Sequence, residues 1–561
     1  MSDLVSFAFG EPAYVNDTHP LYIDADQPSR AIHGRGLRQL VRALVAGFQA
    51  YGLQAGDCVP VQLSGNTVIH PALQLGIIGA GGIYMACNHT TSLYEMQHLI
   101  QLVSPRFILT HPGGLPMVLS ACAKDTEGPS RRVSTVDEAS IDRLVQFAAT
   151  DVATELVNTP ATVASELFRV EDLLSFGEAD WQTLDEATAQ QAPATMFLTS
   201  GTSGLSKAAT RSHAAVVSQI EAVQYEPPFA VKRAVALPVH HLLGDYWTTI
   251  FPIRYGHPVH ILRRFEVTNF LDALQRFAIT ETYLVPTMVH ILLSQDTDTA
   301  RARLNSLRYV GIAGAPIEET VLQRFRALLH PEAYASTFYG MTEAGVVTQY
   351  RYGDTRPAGG MGGRSMGYEV RLIEPVDEDD VRQIISSAPP AITGDDQPGE
   401  ILIRGPGMFL GYRASPAVPA ALTADGWFRT GDIGYRKEGH YYLMGRLKEL
   451  IKVRGYSVPP AEIEAVLLEH AGVHDVGVIR TTAPDGSTEA PRAYVVTVPG
   501  PVRPSADELA AWVLDKLAWY KGLDGGVVFV ASIPRTAAGK IQRGRLIQLD
   551  SQRDQLAQIL V

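Results

Sequence analysis

Cysteine is scarce in this sequence: Cys58, Cys87 and Cys122 are the only three, and they stand far apart. They form neither a CxxC pair nor the spacing of a metal-binding motif. This excludes a disulfide-stapled scaffold and a cysteine-based metal site of the usual kinds. We therefore predict that the chain works in a reducing compartment, and we assign the three thiols no chemistry.

Excess positive charge and long apolar runs are also lacking. Lys and Arg number 47 against 59 Asp and Glu, a net charge of −12, which gives no general attraction to nucleic acid or anionic lipid. No apolar run approaches the ~18 residues of a transmembrane helix. The first residues lack a signal sequence, and the last three are not Ser-Lys-Leu. We expect a cytoplasmic protein with a small-molecule substrate, no nucleic-acid partner and no membrane span.

What the sequence does contain is length and core material: 561 residues, of which 46% are hydrophobic. At ~150 residues per domain, this predicts three or four compact units. Helical and strand-like patterns alternate, for example a helix over 31–52, a strand over 59–63 and a helix over 267–277. The alternation predicts an α/β fold with a parallel sheet. Residues 110–192 show only short helices and polar turns, which we interpret as variable elaboration.

Residues 199–207 place hydroxyl side chains and two glycines ahead of one lysine, in the order Thr-Ser-Gly-Thr-Ser-Gly-Leu-Ser-Lys. Glycine lets backbone amides turn towards a ligand, and the hydroxyls and lysine add donors, so this composition is typical of a phosphate-binding loop. It is not a Walker A motif, which needs four residues between its glycines and Ser or Thr after the lysine. Taken alone, the stretch is as typical of a flexible linker.

Four further stretches carry candidate chemistry, although each has an ordinary explanation when taken alone. Tyr339-Gly-Met-Thr-Glu343 has the groups to stack a base, contact phosphate and hold Mg²⁺, or it is a common loop. Trp427-Phe-Arg-Thr-Gly-Asp432 ends in a carboxylate suited to ribose hydroxyls, or in a turn residue. Residues 445–456 alternate apolar and basic side chains, and Lys540 follows a small-residue turn. Their joint occurrence is the signal.

In order and spacing these stretches resemble the adenylate-forming superfamily of acyl- and aryl-CoA synthetases, peptide adenylation domains and beetle luciferases. The motifs are closest to those of 4-coumarate-CoA-ligase-like enzymes, and the resemblance covers essentially the whole chain. Further matching stretches are Gly314-Ala-Pro316, residues 399–406, Gly411-Tyr412 and residues 455–464.

The resemblance implies an α/β fold in two domains. A large N-terminal AMP-binding domain (residues 1–444) would contain α/β subdomains and a small barrel-like part, and would hold the ATP and acid sites. A hinge (residues 445–450, with Lys448 as its pivot) would join it to a small mobile α+β domain (residues 451–561) that carries the adenylation lysine.

The resemblance also implies an activity, the ATP-dependent conversion of a hydrophobic carboxylic acid into an acyl adenylate and then into a CoA thioester. Two anions must meet at the α-phosphorus, so cations and amides must offset their charge. The implied cofactors are ATP, Mg²⁺ and CoA, or the phosphopantetheine thiol of a carrier protein. The implied catalytic residues are Lys540, which would bridge the acid and the α-phosphate, Thr342, Glu343 as the Mg²⁺ ligand, His241 and Lys452.

The remaining implied site residues follow the same motifs. For ATP they are Thr199, Ser200, Gly201, Thr202, Ser203, Gly204 and Lys207 at the phosphates, Gly314, Ala315, Pro316 and Tyr339 at the adenine, with Gly340 and Met341 beside them, and Asp432 and Arg446 at the ribose. After rotation at the hinge, Arg454, Gly455 and Tyr456 would face CoA. Ser457 stands where many aryl-CoA ligases have glutamine, so that contact is not carried over.

The acid pocket is implied by a weaker alignment. Its gate would be His241, and its apolar walls would be Leu243, Trp247, Phe338, Val346 and Val347. Leu242 stands where amino-acid-activating relatives carry an aspartate, and an unpaired ammonium costs several kcal/mol, so an α-amino acid is disfavoured. We expect an uncharged hydrophobic acyl or aryl tail. Phe338, where relatives usually have glycine, would shorten the pocket and favour short acids.

Two other functions share these motifs. An acyl-AMP ligase that loads a phosphopantetheine carrier protein would differ only in its thiol acceptor. A catalytically inactive nucleotide-binding module belongs to another class of protein. The joint presence of Glu343, Asp432 and Lys540 argues against it, because a mere binder has no use for a carboxylate-bridging lysine.

Overall fold

The computed structural model describes residues 3–10, 18–125, 128–149, 166–199, 206–375, 390–413, 422–423, 425–454, 456–486, 488–498, 500, 503–535 and 541–559. Its strands are β1 (Pro20–Asp24), β2 (Ala31–His33), β3 (Cys58–Gln62), β4 (Ile83–Ala86), β5 (Phe107–Thr110), β6 (Arg132–Thr135), β7 (Leu167–Arg169), β8 (Pro193–Thr199), β9 (Lys207–Ser212), β10 (Arg233–Val235), β11 (Val259–Ile261), β12 (Glu281–Leu284), β13 (Tyr309–Ile312), β14 (Tyr334–Thr337), β15 (Tyr339–Met341), β16 (Gly345–Gln349), β17 (Arg364–Ser365), β18 (Glu369–Ile373), β19 (Gly399–Arg404), β20 (Gly411–Tyr412), β21 (Phe428–Lys437), β22 (His440–Arg446), β23 (Ile451–Val453), β24 (Tyr456–Val458), β25 (Val473–Thr482), β26 (Glu489–Thr497) and β27 (Val527–Phe529).

The α-helices are α1 (Leu4–Phe9), α2 (Gly34–Ala50), α3 (His70–Gly79), α4 (Leu93–Val103), α5 (Leu115–Ala123), α6 (Glu138–Ala149), α7 (Glu186–Gln191), α8 (His213–Val223), α9 (Leu242–Tyr255), α10 (Val267–Phe277), α11 (Pro286–Leu293), α12 (Thr297–Leu304), α13 (Glu319–Arg326), α14 (Pro460–Leu468), α15 (Ala506–Lys516) and α16 (Arg543–Ile559). Short 3₁₀ helices span Val170–Phe176, Leu447–Glu449 and Trp519–Lys521. Among the described residues, no helix combines the length and the apolar character needed to cross a membrane.

Two large sheets carry the first part of the chain. One has the strand order β14-β13-β12-β10-β11-β1-β2, and the other has the order β20-β9-β8-β4-β3-β5-β6-β7. Pairing is parallel except where β2 joins β1 and where β9 joins β8 and β20. The predicted α/β fold with parallel sheets is therefore confirmed.

The predicted elements differ from the structure in two places. The helix predicted over 31–52 begins only at Gly34, because residues 31–33 pair with β1 and the His33 side chain caps the helix by accepting from the Gly36 amide. Within 110–192, where only short helices and polar turns were predicted, the structure also has β6 and β7, which extend the second sheet. Both strands are very short and carry polar residues, so they leave no apolar run to detect.

Helix α2 packs closely in the main core because two of its interior residues are glycine. A Cβ at Gly36 would lie 2.0 Å from the Ala148 carbonyl oxygen, and one at Gly47 would lie 2.4 Å from that of Leu173. Glycine costs about 1 kcal/mol of helix propensity, which the contacts must offset. The main hydrophobic core includes α2, α3 and α9 and the facing strands of both sheets.

Two smaller sheets follow within the range expected to form the large domain. They are the three-stranded β15-β16-β17 and the antiparallel β18-β19-β21-β22. Beyond them, β23-β24 and β25-β26-β27 with α14 and α15 enclose a separate core, which begins at Ile451. This is the expected small α+β C-terminal domain, while its boundaries at residues 444 and 451 stay a prediction.

Candidate active site

Asp432 is bound from two sides at the nucleotide end of the candidate site. Its Oδ2 accepts a hydrogen bond of 2.6 Å from the Tyr339 hydroxyl, and its Oδ1 lies 3.1 Å from Arg446 Nε. Strand pairing sets this geometry, because Asp432 on β21 is directly opposite Arg446 on β22. The structure therefore brings together three predicted ATP-binding residues.

Burial and the charge of Asp432 set the protonation states of Tyr339 and Arg446. Burial, followed by the charge of Asp432, raises the pKa of the Tyr339 hydroxyl well above its usual value, so the phenol remains a donor. Burial acts to lower the pKa of Arg446, but Asp432 and the neighbouring carboxylates outweigh it and raise that pKa overall. The result is a preformed acceptor flanked by a fixed cation, which suits a diol such as that of ribose.

Gly314-Ala-Pro316 and Tyr339 lie at one edge of the first sheet. The parallel strands β13 and β14 end at Ile312 and Thr337, just before these residues. The carboxyl ends of parallel strands meet at the same edge, which is where open α/β sheets bind ligands. Gly314 adopts φ +92°, a backbone conformation that favours glycine, and it is exposed. Gly340 and Met341 continue into the β15–β16 hairpin.

The phosphate side is organised by the β8–β9 hairpin. Thr199 pairs directly with Lys207, so the two ends of the predicted phosphate loop are held together. The five predicted phosphate-binding residues between them, Ser200, Gly201, Thr202, Ser203 and Gly204, lie outside the described residues. The Lys207 ammonium sits 5.1 Å from the centre of the Tyr412 ring.

Tyr412 connects this lysine to the candidate metal ligand. Its hydroxyl donates a 2.5 Å hydrogen bond to Glu343 Oε1, and β20 holds it in place by pairing with β9. Burial, then the charge of Glu343, raises the pKa of the Tyr412 hydroxyl strongly, so it stays protonated. Sequence reasoning did not include Tyr412 in the site, although its dipeptide with Gly411 was one of the matching motifs.

Glu343 meets the requirements of a Mg²⁺ ligand. It is 8% exposed in the turn between β15 and β16, beside the half-buried Thr342, and its second carboxylate oxygen has no hydrogen-bond partner among the described residues. Over that part of the chain, no group of three His, Cys, Asp or Glu side chains could hold a metal by itself. Mg²⁺ usually takes one or two carboxylates and completes its shell with phosphate and water, so one carboxylate fits.

Arg211 holds this region together by hydrogen bonds, and the sequence analysis did not predict it as a site residue. Its guanidinium is fully buried on β9, four residues after Lys207, and donates to the carbonyl oxygens of Gly407 (2.9 Å) and Ala344 (3.5 Å) and to the Tyr246 hydroxyl. Ala344 directly follows Glu343. Arg211 therefore joins the β8–β9 hairpin to the turn that carries the candidate metal ligand.

His241 begins the helix that carries the candidate acid site. It is the N-cap residue of α9, and its ring lies 4.6 Å from that of His240. Burial lowers the pKa of His241, and burial and then His241 lower the pKa of His240 to about 3. Both imidazoles are therefore neutral at pH 7 and would add no charge to an apolar pocket.

An aromatic layer lies beside this helix. Trp247 stacks flat on Tyr283, with ring centres 3.8 Å apart, and Phe338 meets the edge of Tyr283 at 6.1 Å. Gly311 makes room for both partners, since a Cβ there would lie 2.6 Å from the Tyr283 ring and 3.0 Å from the Phe338 ring. Leu243, one turn before Trp247 on α9, is only partly buried. Tyr283 was missed because nothing in its local sequence marks it.

The two predicted pocket valines face opposite ways. Val346 belongs to the main core with Phe338, whereas Val347 belongs to the cluster that contains Tyr339. Successive residues of a strand point to opposite faces of a sheet, so β16 cannot present both to one pocket. The structure thus places Val347 on the face opposite Phe338 and Trp247.

The predicted CoA-side residues are held within the C-terminal part. Lys452 is exposed on β23, the Arg454 guanidinium lies 5.6 Å from the Trp519 ring centre, and the half-exposed Tyr456 ring stacks on Tyr520 at 4.1 Å. Gly455 lies outside the described residues.

Of the two residues predicted to take part in the domain movement, the structure describes Lys448 but not Lys540. Lys448 lies in the 3₁₀ turn between β22 and β23, where its neighbour Glu449 contacts Arg543 of α16 at 3.5 Å. Lys540 lies outside the described residues. Arg535, which precedes it, pairs with Ile541 and is close enough to Glu318 and His290 to affect their pKa values.

Comparison with known proteins gives two family matches. The model of the AMP-binding enzyme family matches residues 12–413, and the model of the AMP-binding enzyme C-terminal domain matches residues 462–540. The first match alone spans well over half of the chain.

Individual relatives match along the whole length. The nicotinic acid-CoA ligase olcI of Penicillium canescens is 49% identical over 559 residues, which is 100% of this chain and 99% of the relative. The nicotinic acid-CoA ligase pyr1 of Aspergillus fumigatus is 46% identical over 585 residues, 100% of this chain and 98% of the relative. The crystal structure of ATP-bound MatB from Rhodopseudomonas palustris has a TM-score of 0.77 at 24% identity, covering 97% of this chain and 98% of that one. This last likeness shows the fold.

Proposed function

The chain belongs to the family of AMP-binding enzymes, and we propose that it is a ligase that activates nicotinic acid, or a similarly small aromatic acid, with ATP and transfers the acyl group to CoA. The acyl-adenylate chemistry and the ligase class follow from the family and its full-length relatives. The single observation that carries the choice of acid is that two relatives, 49% and 46% identical over the whole chain, are named nicotinic acid-CoA ligases.

The aromatic layer supports a small planar acid. Trp247, Tyr283 and Phe338 offer ring faces and edges, and aromatic rings pair favourably in offset or edge-to-face geometry. Neutral His241 and apolar Leu243 add no charge that would bind an ammonium group. These features agree with the predicted preference for short acids with an uncharged acyl or aryl tail, and they favour the aryl choice.

In the first half-reaction, the carboxylate of the acid attacks the α-phosphorus of ATP and pyrophosphate leaves. Asp432 and Arg446 would hold the ribose, and Lys207 with the 199–207 loop would hold the phosphates. Glu343 would hold Mg²⁺, which supplies charge to the departing pyrophosphate when bound. Lys540 would bridge the acid and the α-phosphate, and a single such contact is typically worth ~10²- to 10³-fold in rate.

In the second half-reaction, the CoA thiol attacks the carbonyl carbon of the acyl adenylate, and AMP leaves. We assign this step to a rotation of residues 451–561 relative to residues 1–444 about Lys448 in the hinge 445–450. The separate core of the C-terminal part supports such a movement. Lys452, Arg454, Gly455 and Tyr456 would then face the pantetheine arm.

The thiol acceptor in this proposal is free CoA. The relatives are named CoA ligases, whereas nothing favours the carrier-protein alternative. The family and its CoA-ligase relatives argue against the inactive-module alternative, and the buried contacts of Glu343 with Tyr412 and of Asp432 with Tyr339 agree with a catalytic role. A cytoplasmic location is part of the proposal and is checked by cell fractionation.

A thioester assay tests the proposal. Purified protein, ATP, MgCl₂ and nicotinic acid should release pyrophosphate, and addition of CoA should yield nicotinyl-CoA, identified by mass spectrometry. Benzoic acid, hexanoic acid and phenylalanine serve as competing acids, and Glu343→Gln serves as a variant that should lose both signals. Pyrophosphate release without CoA thioester, together with acylation of a carrier protein, would overturn the choice of acceptor.

A further inference from the structure

We propose that the indole N–H of Trp247 recognises a pyridine carboxylic acid by donating a hydrogen bond to the ring nitrogen of the acid. This inference rests on the proposed function and deepens it, because it names the group that separates a pyridine carboxylic acid from a benzoic acid. It concerns specificity, since Trp247 would contact the part of the acid that does not react.

The first observation is an unused donor in the core. Trp247 is 2% exposed, and its Nε1 finds no hydrogen-bond partner among the described residues. Buried polar groups almost always have a partner, and leaving one without costs about 1–3 kcal/mol. A phenylalanine would fill the same aromatic layer without that penalty, so the donor is retained at a cost to the free protein.

The second observation is where this donor sits. Trp247 stacks on Tyr283 of β12, and Tyr283 in turn contacts Phe338 and lies close to Gly311. Three residues after Gly311 comes the exposed Gly314, and directly after Phe338 comes Tyr339, which donates to Asp432. Leu243 lies on the same face of α9 and is reached by solvent. The layer therefore borders the nucleotide edge of the sheet, where an acid must lie to reach the α-phosphate.

The third observation concerns the strength of the donor. The Arg233 guanidinium lies 5.2 Å from the centre of the Trp247 ring and is fixed in place by a 2.5 Å contact with Glu281. A cation over an indole draws electron density from the ring and makes the N–H a better donor. The nitrogen of nicotinic acid is an unprotonated acceptor at neutral pH, whereas the corresponding C–H of benzoic acid accepts nothing.

A second buried tryptophan provides a matched control. Trp427 Nε1 also has no partner among the described residues, but Trp427 packs with Ile373 and Leu402 in a separate cluster, between the guanidinium groups of Arg371 and Arg404. Any general effect of removing an unpartnered indole N–H should appear in Trp427→Phe as well as in Trp247→Phe.

The experiment compares kcat/KM for nicotinic and benzoic acid in the wild type, Trp247→Phe and Trp427→Phe. We expect the wild type to favour nicotinic acid, and Trp247→Phe to lose ~5- to 100-fold in kcat/KM for nicotinic acid while its value for benzoic acid changes little. Trp427→Phe should keep the wild-type ratio. A ratio that is unchanged in Trp247→Phe, or a parallel loss for both acids, overturns the inference.

A second measurement does not depend on the folding of a variant. The wild type should prefer nicotinic acid to isonicotinic and picolinic acid, because a fixed donor matches one ring position. A wild type that converts nicotinic, isonicotinic and benzoic acid with equal kcat/KM overturns this inference alone. A wild type that converts none of these acids overturns the proposed substrate, and the inference falls with it.

Discussion

Asp245 should make the stability of this enzyme fall as the pH rises towards neutrality. The residue lies on α9, two positions before Trp247, and is 5% exposed. Its carboxyl accepts long hydrogen bonds from Gln74 (3.3 Å) and Thr249 (3.2 Å). Burial raises its pKa from the usual 3.8 to about 7, and these hydrogen bonds and the charge of Arg211 only partly oppose this.

The sign follows from proton binding. Between about pH 4 and pH 7 the folded protein keeps the Asp245 proton while the unfolded chain loses it, so each rise in pH in that window favours unfolding. About three pKa units at 1.36 kcal/mol each give an upper limit of ~4 kcal/mol, reached above pH 7. Asp245→Asn cannot ionise, so the variant should become more stable than the wild type as the pH rises.

Thermal melts of wild type and Asp245→Asn at about pH 5, 6, 7 and 8 measure the effect. The difference in apparent Tm should grow from near zero to several degrees and then level off. Asp296→Asn is the control, because Asp296 caps α12 and its pKa is lowered, so the stability it contributes is present above its usual pKa and lost on acidification. A Tm difference for Asp245→Asn that does not depend on pH would refute the reasoning.

Four further predictions concern catalysis. Asp432→Asn should raise KM for ATP ~10- to 100-fold, because it weakens a charged acceptor; an unchanged KM in pyrophosphate exchange would contradict the ribose role. Lys540→Ala should slow adenylation ~10²- to 10³-fold yet spare thioester formation from synthetic acyl adenylate, and equal losses in both assays would count against this division. Lys448→Pro, which fixes φ near −65°, should keep adenylation and lose CoA transfer; normal overall turnover would place the pivot elsewhere. Phe338→Gly should favour bulkier acids, with about 0.8 kcal/mol for each extra buried methylene, whereas an unchanged ranking with a lowered Tm would make the ring purely structural.

Much of the fold could be predicted because local patterns carry it. The helix predicted over 267–277 matches α10 residue for residue, and its apolar positions recur at helical spacing. The failures lie where long-range contacts decide. Strands β6 and β7 exist because they pair with a preceding strand of the sheet, and their three or four residues carry no pattern of their own.

The candidate site shows the same division. Tyr339 and Asp432 are 93 residues apart, and only the ordered motifs of the superfamily predicted that they work together. Tyr412, Arg211 and Tyr283 were not predicted as site residues, because their contacts depend on which strands become neighbours. Val347 was assigned to the acid pocket together with Val346 by alignment with the family, although the alternation of a strand turns the two side chains apart.

The same alternation joins the acid and nucleotide parts of the site. Phe338 and Tyr339 are consecutive, yet Phe338 packs in the main core against Tyr283, whereas Tyr339 faces the other cluster and binds Asp432. In the proposed site, one stretch of backbone would thus carry the ring that limits the acid on one side and the hydroxyl that orients the ribose acceptor on the other. A change at Phe338 that shifts this backbone will move the Tyr339 hydroxyl as well. We therefore expect Phe338→Gly to change KM for ATP as well as the ranking of acids, and a KM for ATP that stays at the wild-type value would contradict this coupling.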